Sequence, residues 1–305
     1  MKKDLDFIAG SPDKCLVFAT GGLTNTAATT ELVNLCGDGD TSTCPTNLPS
    51  YSNYGGFALR TPEGNPLICG GGSSRRSCQE FVPQLNDFQP GPTMQENRYY
   101  SAVVELADGS FWIMGSRDST AAESTEYYEN GAFVPGPPLP LLTQDDVPCA
   151  AQVDEFTTFF ASLRRGFLYD SRTGEFEEVA PMEYTARGAQ CGAITTASGE
   201  RKVVVAGGHD TGERVQQEVQ VLDLASGTWS LGPFLPYSIW LGAVLPTERS
   251  FLILGGAQIP AGSATDDKIL QLDPDTLEWI ERPERLSMER SAFYSVNVEK
   301  SLFCS

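Results

Sequence analysis

An apolar run ending in small residues recurs along the chain. It reads Leu16-Val-Phe-Ala-Thr-Gly-Gly22, Pro66-Leu-Ile-Cys-Gly-Gly71 and Phe111-Trp-Ile-Met-Gly-Ser116 in the first half, then Thr158-Phe-Phe-Ala-Ser162, Val203-Val-Val-Ala-Gly-Gly208 and Phe251-Leu-Ile-Leu-Gly-Gly256. The first small residue of each terminal pair stands at 21, 70, 115, 161, 207 and 255, so successive intervals are 49, 45, 46, 46 and 48 residues. A fixed period of this size marks a repeat architecture, and each run is short enough to be one strand. A further strand follows each run, and in most repeats an aromatic then opens another: Phe88, Phe133, Phe176, Trp229 and Trp279. Between them Tyr169-Asp170, Leu222-Asp223 and Leu272-Asp273 lead into turns such as Asp170-Ser-Arg-Thr-Gly-Glu175.

A Gly-Gly pair, a Tyr-Asp-like turn and a Trp, recurring in that order from about residue 15 to 299, resemble the kelch repeat. The resemblance implies an all-β, six-bladed β-propeller with four antiparallel strands per blade. The di-glycine closes the second strand, where backbone angles or close approaches forbid a Cβ, and the aromatic packs between neighbouring blades. Blade four departs from the pattern with Ala161-Ser162, and blade one lacks the aromatic. The first repeat starts directly at its second strand, near Cys15, so its innermost strand is expected from the C-terminal Ser291-Ala-Phe-Tyr-Ser-Val-Asn-Val298. The expected division is an N-terminal extension over 1–14 and a propeller over 15–305. The alternative fold is an open or seven-bladed sheet array.

Thirty Gly and 20 Pro suit many short strands and turns. Lys plus Arg number 21 against 40 Asp plus Glu, a formal charge of −19. Nucleic acid is therefore not an expected partner, because phosphate binding needs a basic footprint. No apolar run approaches the roughly 20 residues of a membrane span. Met1-Lys-Lys-Asp-Leu-Asp-Phe-Ile-Ala-Gly10 has a basic start without an apolar stretch, unlike a signal peptide. Either the sequence is a mature form or the protein stays in the cytosol, and the cysteines must decide.

The eight cysteines can be paired on the strand map. Cys69 and Cys78 fall on adjacent antiparallel strands, Cys36 and Cys44 flank the Gly37-Asp-Gly-Asp40 loop, and Cys15 and Cys304 lie at opposite ends of the closing hairpin. Cys149 and Cys191 remain, near the starts of innermost strands in neighbouring blades. Disulfides imply an oxidising, extracellular setting, whereas buried free thiols would allow a cytoplasmic one. With disulfides the chain resembles the secreted, cysteine-containing kelch proteins of animals rather than the cytosolic kelch adaptors of ubiquitin ligases.

Candidate chemistry is sparse. His209 is the only histidine, in the loop His209-Asp-Thr-Gly-Glu-Arg-Val215, and it reads as an ordinary loop residue. One histidine cannot assemble the copper site of kelch oxidases resembling galactose oxidase, a histidine-rich zinc site or a Ser-His-Asp triad. Leu224-Ala-Ser-Gly-Thr-Trp229 lacks the aspartate of the sialidase box. Asp38-Gly-Asp40 and Asp266-Asp267 lack the spaced ligand series of a calcium loop. No catalytic residue, metal or cofactor is assigned.

The arginines give the functional hint. Loops joining strands two and three, and those leading into strand one, open on the same face of a propeller. Nine of the 15 arginines fall in or beside them: Arg75, Arg76, Arg98, Arg117, Arg164, Arg165, Arg187, Arg214 and Arg290, with Tyr99, Tyr100, Tyr237 and Trp240 in the same loops. Arginine pairs bidentately with carboxylate or phosphate and stacks on aromatics. Arg75, Arg98, Arg117, Arg187, Arg214, Trp240 and Arg290 are thus the candidate ligand-binding residues. The competing reading makes Arg98, Arg187 and Arg290 a repeat position tied to carboxylates such as Glu96, Asp145, Asp146 and Glu289. The expected function is a non-enzymatic extracellular recognition module for a protein or small acidic ligand. The alternatives are a carbohydrate-active enzyme with a central pocket and a cytosolic kelch adaptor or scaffold.

Overall fold

The computed structural model describes residues 14–23, 29–35, 44–45, 47–73, 75–118, 120–140, 147–210, 212, 214–258 and 266–304. In it the recurrent apolar runs are the second strands of six antiparallel blades arranged in a ring. Blade one begins with β1 (Leu16–Thr20) and β2 (Thr30–Asn34). Blade two is β3 (Gly56–Arg60), β4 (Pro66–Gly70), β5 (Ser77–Val82) and β6 (Asp87–Thr93). Blade three is β7 (Ala102–Glu105), β8 (Phe111–Met114), β9 (Thr125–Glu129) and β10 (Ala132–Pro135). Blade four is β11 (Cys149–Gln152), β12 (Thr157–Ser162), β13 (Arg165–Asp170) and β14 (Glu175–Glu178). Blade five is β15 (Gln190–Thr195), β16 (Arg201–Ala206), β17 (Val219–Asp223) and β18 (Thr228–Leu231). Blade six is β19 (Ala243–Pro246), β20 (Phe251–Leu254), β21 (Asp266–Leu272) and β22 (Trp279–Arg290).

The C-terminal strand β23 (Tyr294–Val298) closes the ring. It pairs with β1 from Leu16↔Val298 to Thr20↔Tyr294, so blade one runs β23-β1-β2 from the axis outward. The described residues supply three strands there, and the chain at Pro49 lies against β2, its carbonyl accepting the Thr30 hydroxyl at 2.6 Å. Of the expected 1–14 extension only Lys14 is described. No helix of the described residues is long and apolar enough to cross a membrane.

The second strands are apolar because the neighbouring blades cover both faces: β1 and β4 are buried at every position. The di-glycine has a physical cause at Gly70-Gly71. Gly70 has φ +69°, and a Cβ on it would come within 2.5 Å of the Arg98 carbonyl oxygen on the next blade. The Gly71 N–H donates to that same carbonyl at 2.9 Å, and Gly22, Gly208 and Gly256 donate in the same way to Asn53, Ile239 and Arg290. The pair is therefore a blade-to-blade joint. Gly70→Ala should cost roughly 1–3 kcal/mol in urea unfolding, and a change under about 0.5 kcal/mol would refute the joint. Blade four dispenses with the pair because β12 turns directly into β13, Ser162 pairing with Arg165 and Leu163 taking φ 50°.

The repeat aromatics dock on the preceding blade. The Trp229 indole N–H donates to Ala180 O at 2.7 Å, and its ring lies 6.1 Å from Phe159. Phe176 reaches Trp112 at 6.5 Å, and Phe88 reaches Phe18 at 6.5 Å.

Three disulfides lie within the described residues: Cys69–Cys78 between paired positions of β4 and β5, Cys149–Cys191 between the innermost strands of blades four and five, and Cys44–Cys304. The last corrects the expected pairs Cys15–Cys304 and Cys36–Cys44. After β23 the chain turns through α1 (Lys300–Phe303), and Phe303 stacks on Phe81 at 5.7 Å, which carries Cys304 across to Cys44. Cys15 is disulfide-bonded to a partner outside the described residues, where Cys36 also lies.

Candidate binding face

Five of the six blades bring the residue leading into the first strand beside the residue leaving the second. The backbone N–H groups of Leu23, Gly72, Arg117, His209 and Ala257 donate to the carbonyls of Ser291, Tyr54, Tyr99, Arg187 and Trp240, at 2.7 to 3.0 Å. Five blades thus place adjacent residues at one mouth. Beneath them a run of five backbone bonds links all six blades. Tyr100 N–H donates to Gly55 O, Gly55 to Ala292, Ala292 to Leu241, Leu241 to Gly188 and Gly188 to Val147, at 2.7 to 3.1 Å. Gly55, Tyr100, Gly188, Leu241 and Ala292 all have positive φ, which lets the chain bend toward the axis at that point. Tyr100, Val147, Leu241 and Ala292 form an apolar floor, with Tyr54, Tyr99 and Trp240 packed on it.

Two of the candidate arginines belong to the architecture. Arg98 is fully buried; its Nε and Nη2 donate to Glu126 Oε1 at 3.0 and 2.8 Å, and its Nη1 donates to the carbonyls of Gly115 and Ser124. Burial pushes its guanidinium below the ordinary arginine value, and Glu126 opposes that shift. Arg290 repeats the arrangement, donating to Glu31 Oε1 at 2.8 Å, Gly21 O at 2.8 Å and Thr29 Oγ1 at 2.6 Å. In both blades the acid stands on the third strand, which corrects the expected partners Glu96 and Glu289; Asp145 and Asp146 lie outside the described residues.

Arg187 does not share this position. Its carbonyl takes the His209 N–H as the Tyr99 carbonyl takes that of Arg117, and Gly188 stands where Tyr100 does in the axial run of bonds. The residue equivalent to Arg98 in blade five is therefore Ala186, and Arg187 is displaced by one residue into the mouth. Its side chain has no hydrogen bond or carboxylate among the described residues, and its Nε is buried without an acceptor. Arg117 is the second such arginine, its guanidinium 5.6 Å from the Tyr100 ring centre.

The remaining arginines are engaged. Arg75 pairs with Asp118 at 3.0 Å and lies 5.8 Å from the Tyr99 ring centre. Arg214 is held by Asp210 and Glu218, and Arg165 by Glu178. Arg76 and Arg164 donate to the carbonyls of Met94 and Met182. Trp240 is half-buried, packed on Gly188 and edge-on to His209 at 5.0 Å, and its indole N–H has no acceptor among the described residues. His209 is buried there, its Nδ1 2.8 Å from Asp210 O. Tyr237 is set aside from the mouth, with Lys268 Nζ 4.3 Å from its ring centre.

Tyr54, absent from the sequence-derived candidates, completes an aromatic group with Tyr99 at 6.0 Å and Tyr100. Aligning Tyr54-Gly55 with Tyr99-Tyr100 would have found it. Burial pushes the Tyr99 and Tyr100 phenols up, so they stay neutral near pH 7. Among the described residues no three His, Cys, Asp or Glu side chains gather as a metal-holding group.

The fold is similar to that of a solved structure described as "Structure of YjhT", with a TM-score of 0.66 and 14% identity over 90% of this chain and 99% of that one. At this identity the likeness concerns the fold alone. No protein-family profile matches the chain, and a search of the curated proteins finds no match.

Proposed function

We propose that the chain is a kelch-type propeller acting as a non-enzymatic, extracellular recognition module that takes an acidic ligand or peptide segment on its loop face. The observation that carries this reading is Arg187. Its one-residue displacement puts a guanidinium at the mouth with no carboxylate, while Arg98 and Arg290 are consumed within their blades. Arg117 joins it across blade four, and Trp240 with Tyr99 supplies donors and ring faces beside them. An extracellular setting agrees with disulfides in four of the six blades or at their junctions.

The test is titration of a tetraglutamate peptide. Arg117→Ala/Arg187→Ala should weaken binding roughly tenfold, as expected for one or two charge-assisted hydrogen bonds. The melting temperature should stay put, since neither side chain leaves a stranded carboxylate. Binding should also fall as salt screens the charges over about 8–10 Å. Unchanged affinity in the double variant would remove the mouth as the binding face.

A further inference from the structure

The opposite face, where strands one and two turn back, carries two contiguous clefts at blades two to four. The first, about 440 Å³, lies among the turn at Thr61–Gly64, the turn after β7, and the start of α1. The second, about 410 Å³, lies between blades three and four; Asp108, Ser110 and Glu129 line both.

The chemistry of the first cleft is that of a receptor for cations. Its floor holds Arg60, buried and already engaged by Glu105 and Asn297. With that pair neutralised, Glu63, Asp108, Glu129 and Glu299 face Lys14, four carboxylates against one lysine. Glu63, Glu129 and Glu299 have no cationic partner among the described residues. Tyr128, only 3% exposed as a residue, lines the cleft, and its hydroxyl opens onto it without a hydrogen bond among the described residues. Burial, then the charges of Glu80 and Glu63, push this phenol up to about 12, so it stays a neutral donor and acceptor. The second cleft has an aromatic wall of Tyr127 and Tyr169 packed on the buried Trp112, at 5.6 and 4.7 Å, and adds Glu155, which has no cationic partner among the described residues; Phe156 at the rim already carries the Arg172 guanidinium, 4.9 Å from its ring centre. Carboxylates beside ring faces suit an alkylammonium or guanidinium group.

We propose that these clefts form a docking groove for an extended, lysine- or arginine-rich segment of a protein partner, seating one basic side chain in each cleft. Two adjoining subsites favour a peptide carrying two basic side chains over a single amine, because linked cations can fill both at once.

Calorimetric titration with tetralysine should show saturable 1:1 binding. Glu63→Gln/Glu129→Gln should weaken it about fivefold to tenfold, and Tyr128→Phe, which keeps the packed ring, by about twofold to fivefold. The mouth variant Arg117→Ala/Arg187→Ala should bind tetralysine as the parent does, so failure of this groove and failure of the mouth are separate results. Three outcomes overturn the groove: no saturation; an equal loss in Glu175→Gln/Glu177→Gln on exposed β14, which would mean diffuse attraction to an acidic body; or n-butylamine binding as tightly as tetralysine, which would mean a small-cation site.

Discussion

Arg98→Ala should lose about 3–5 kcal/mol of stability while leaving the affinity of the folded fraction for an acidic ligand unchanged. Arg98 and Glu126 are both buried. Without the guanidinium, Glu126 keeps only the backbone N–H groups of Gln95 and Glu96, at 2.8 and 3.3 Å, and the Gly115 carbonyl loses a donor. A buried carboxylate stripped of its counter-charge is the costly state, whereas replacing both partners together is far cheaper. Arg98→Met/Glu126→Leu should therefore be more stable than Arg98→Ala, and a double-mutant cycle should give a large coupling. Arg187→Ala should do the reverse, costing less than about 0.5 kcal/mol and weakening binding. Urea unfolding and peptide titration on the same three proteins separate the two roles. A loss below about 1 kcal/mol for Arg98→Ala would show that the buried pair does not hold blade three together.

These two arginines also mark how far the sequence can be read. The second strands are legible because a strand covered on both faces must be apolar throughout, and their spacing alone exposes the repeat. The ring closure follows from counting strands, and β23 pairs as expected. The register of the lead-in to strand one is not legible. Arg98 and Arg290 stand four residues before the first residues of β7 and β23, Ala102 and Tyr294, whereas Arg187 stands three before Gln190 of β15. Strand starts inferred from pattern are uncertain by more than that single residue, so three arginines with opposite fates look equivalent in the sequence. Glu31 and Glu126 escape notice for a related reason: they reach the arginines from the third strand, and sequence proximity favours Glu96 and Glu289. The disulfide map fails where a short helix intervenes. Lys300-Ser-Leu-Phe303 has too few residues to show a helical period, so pattern alone puts Cys304 at the end of an extended hairpin.

Removing the Cys44–Cys304 bond should be the most damaging loss among the three described disulfides. The bond spans 260 residues, and Cys69–Cys78 spans 9. In the chain-entropy account such loops are worth about 5–6 and about 2–3 kcal/mol respectively. The first value is an upper bound, because the remaining bonds already restrict the unfolded chain. Cys44→Ser/Cys304→Ser should still fold, since β23 keeps its five-residue pairing with β1 and Phe303 remains against Phe81 and Phe18. Its melting temperature should nevertheless fall by roughly 5–15 °C, against a smaller drop for Cys69→Ser/Cys78→Ser. The difference has a mechanical origin. Cys69–Cys78 staples two strands that one blade already pairs, whereas Cys44–Cys304 ties the last residues of the chain to blade one across the ring's seam between distant parts of the sequence. Opening that seam frees β23 from its place between blades six and two and bares the edge of β1, the kind of unpaired edge that recruits other chains. The latch-free protein should therefore aggregate on heating at temperatures where the Cys69→Ser/Cys78→Ser protein stays clear. Calorimetry with light scattering reads both effects. A latch-free protein melting within about 2 °C of the parent, or one no worse than the Cys69→Ser/Cys78→Ser protein, would show that strand pairing alone holds the ring shut.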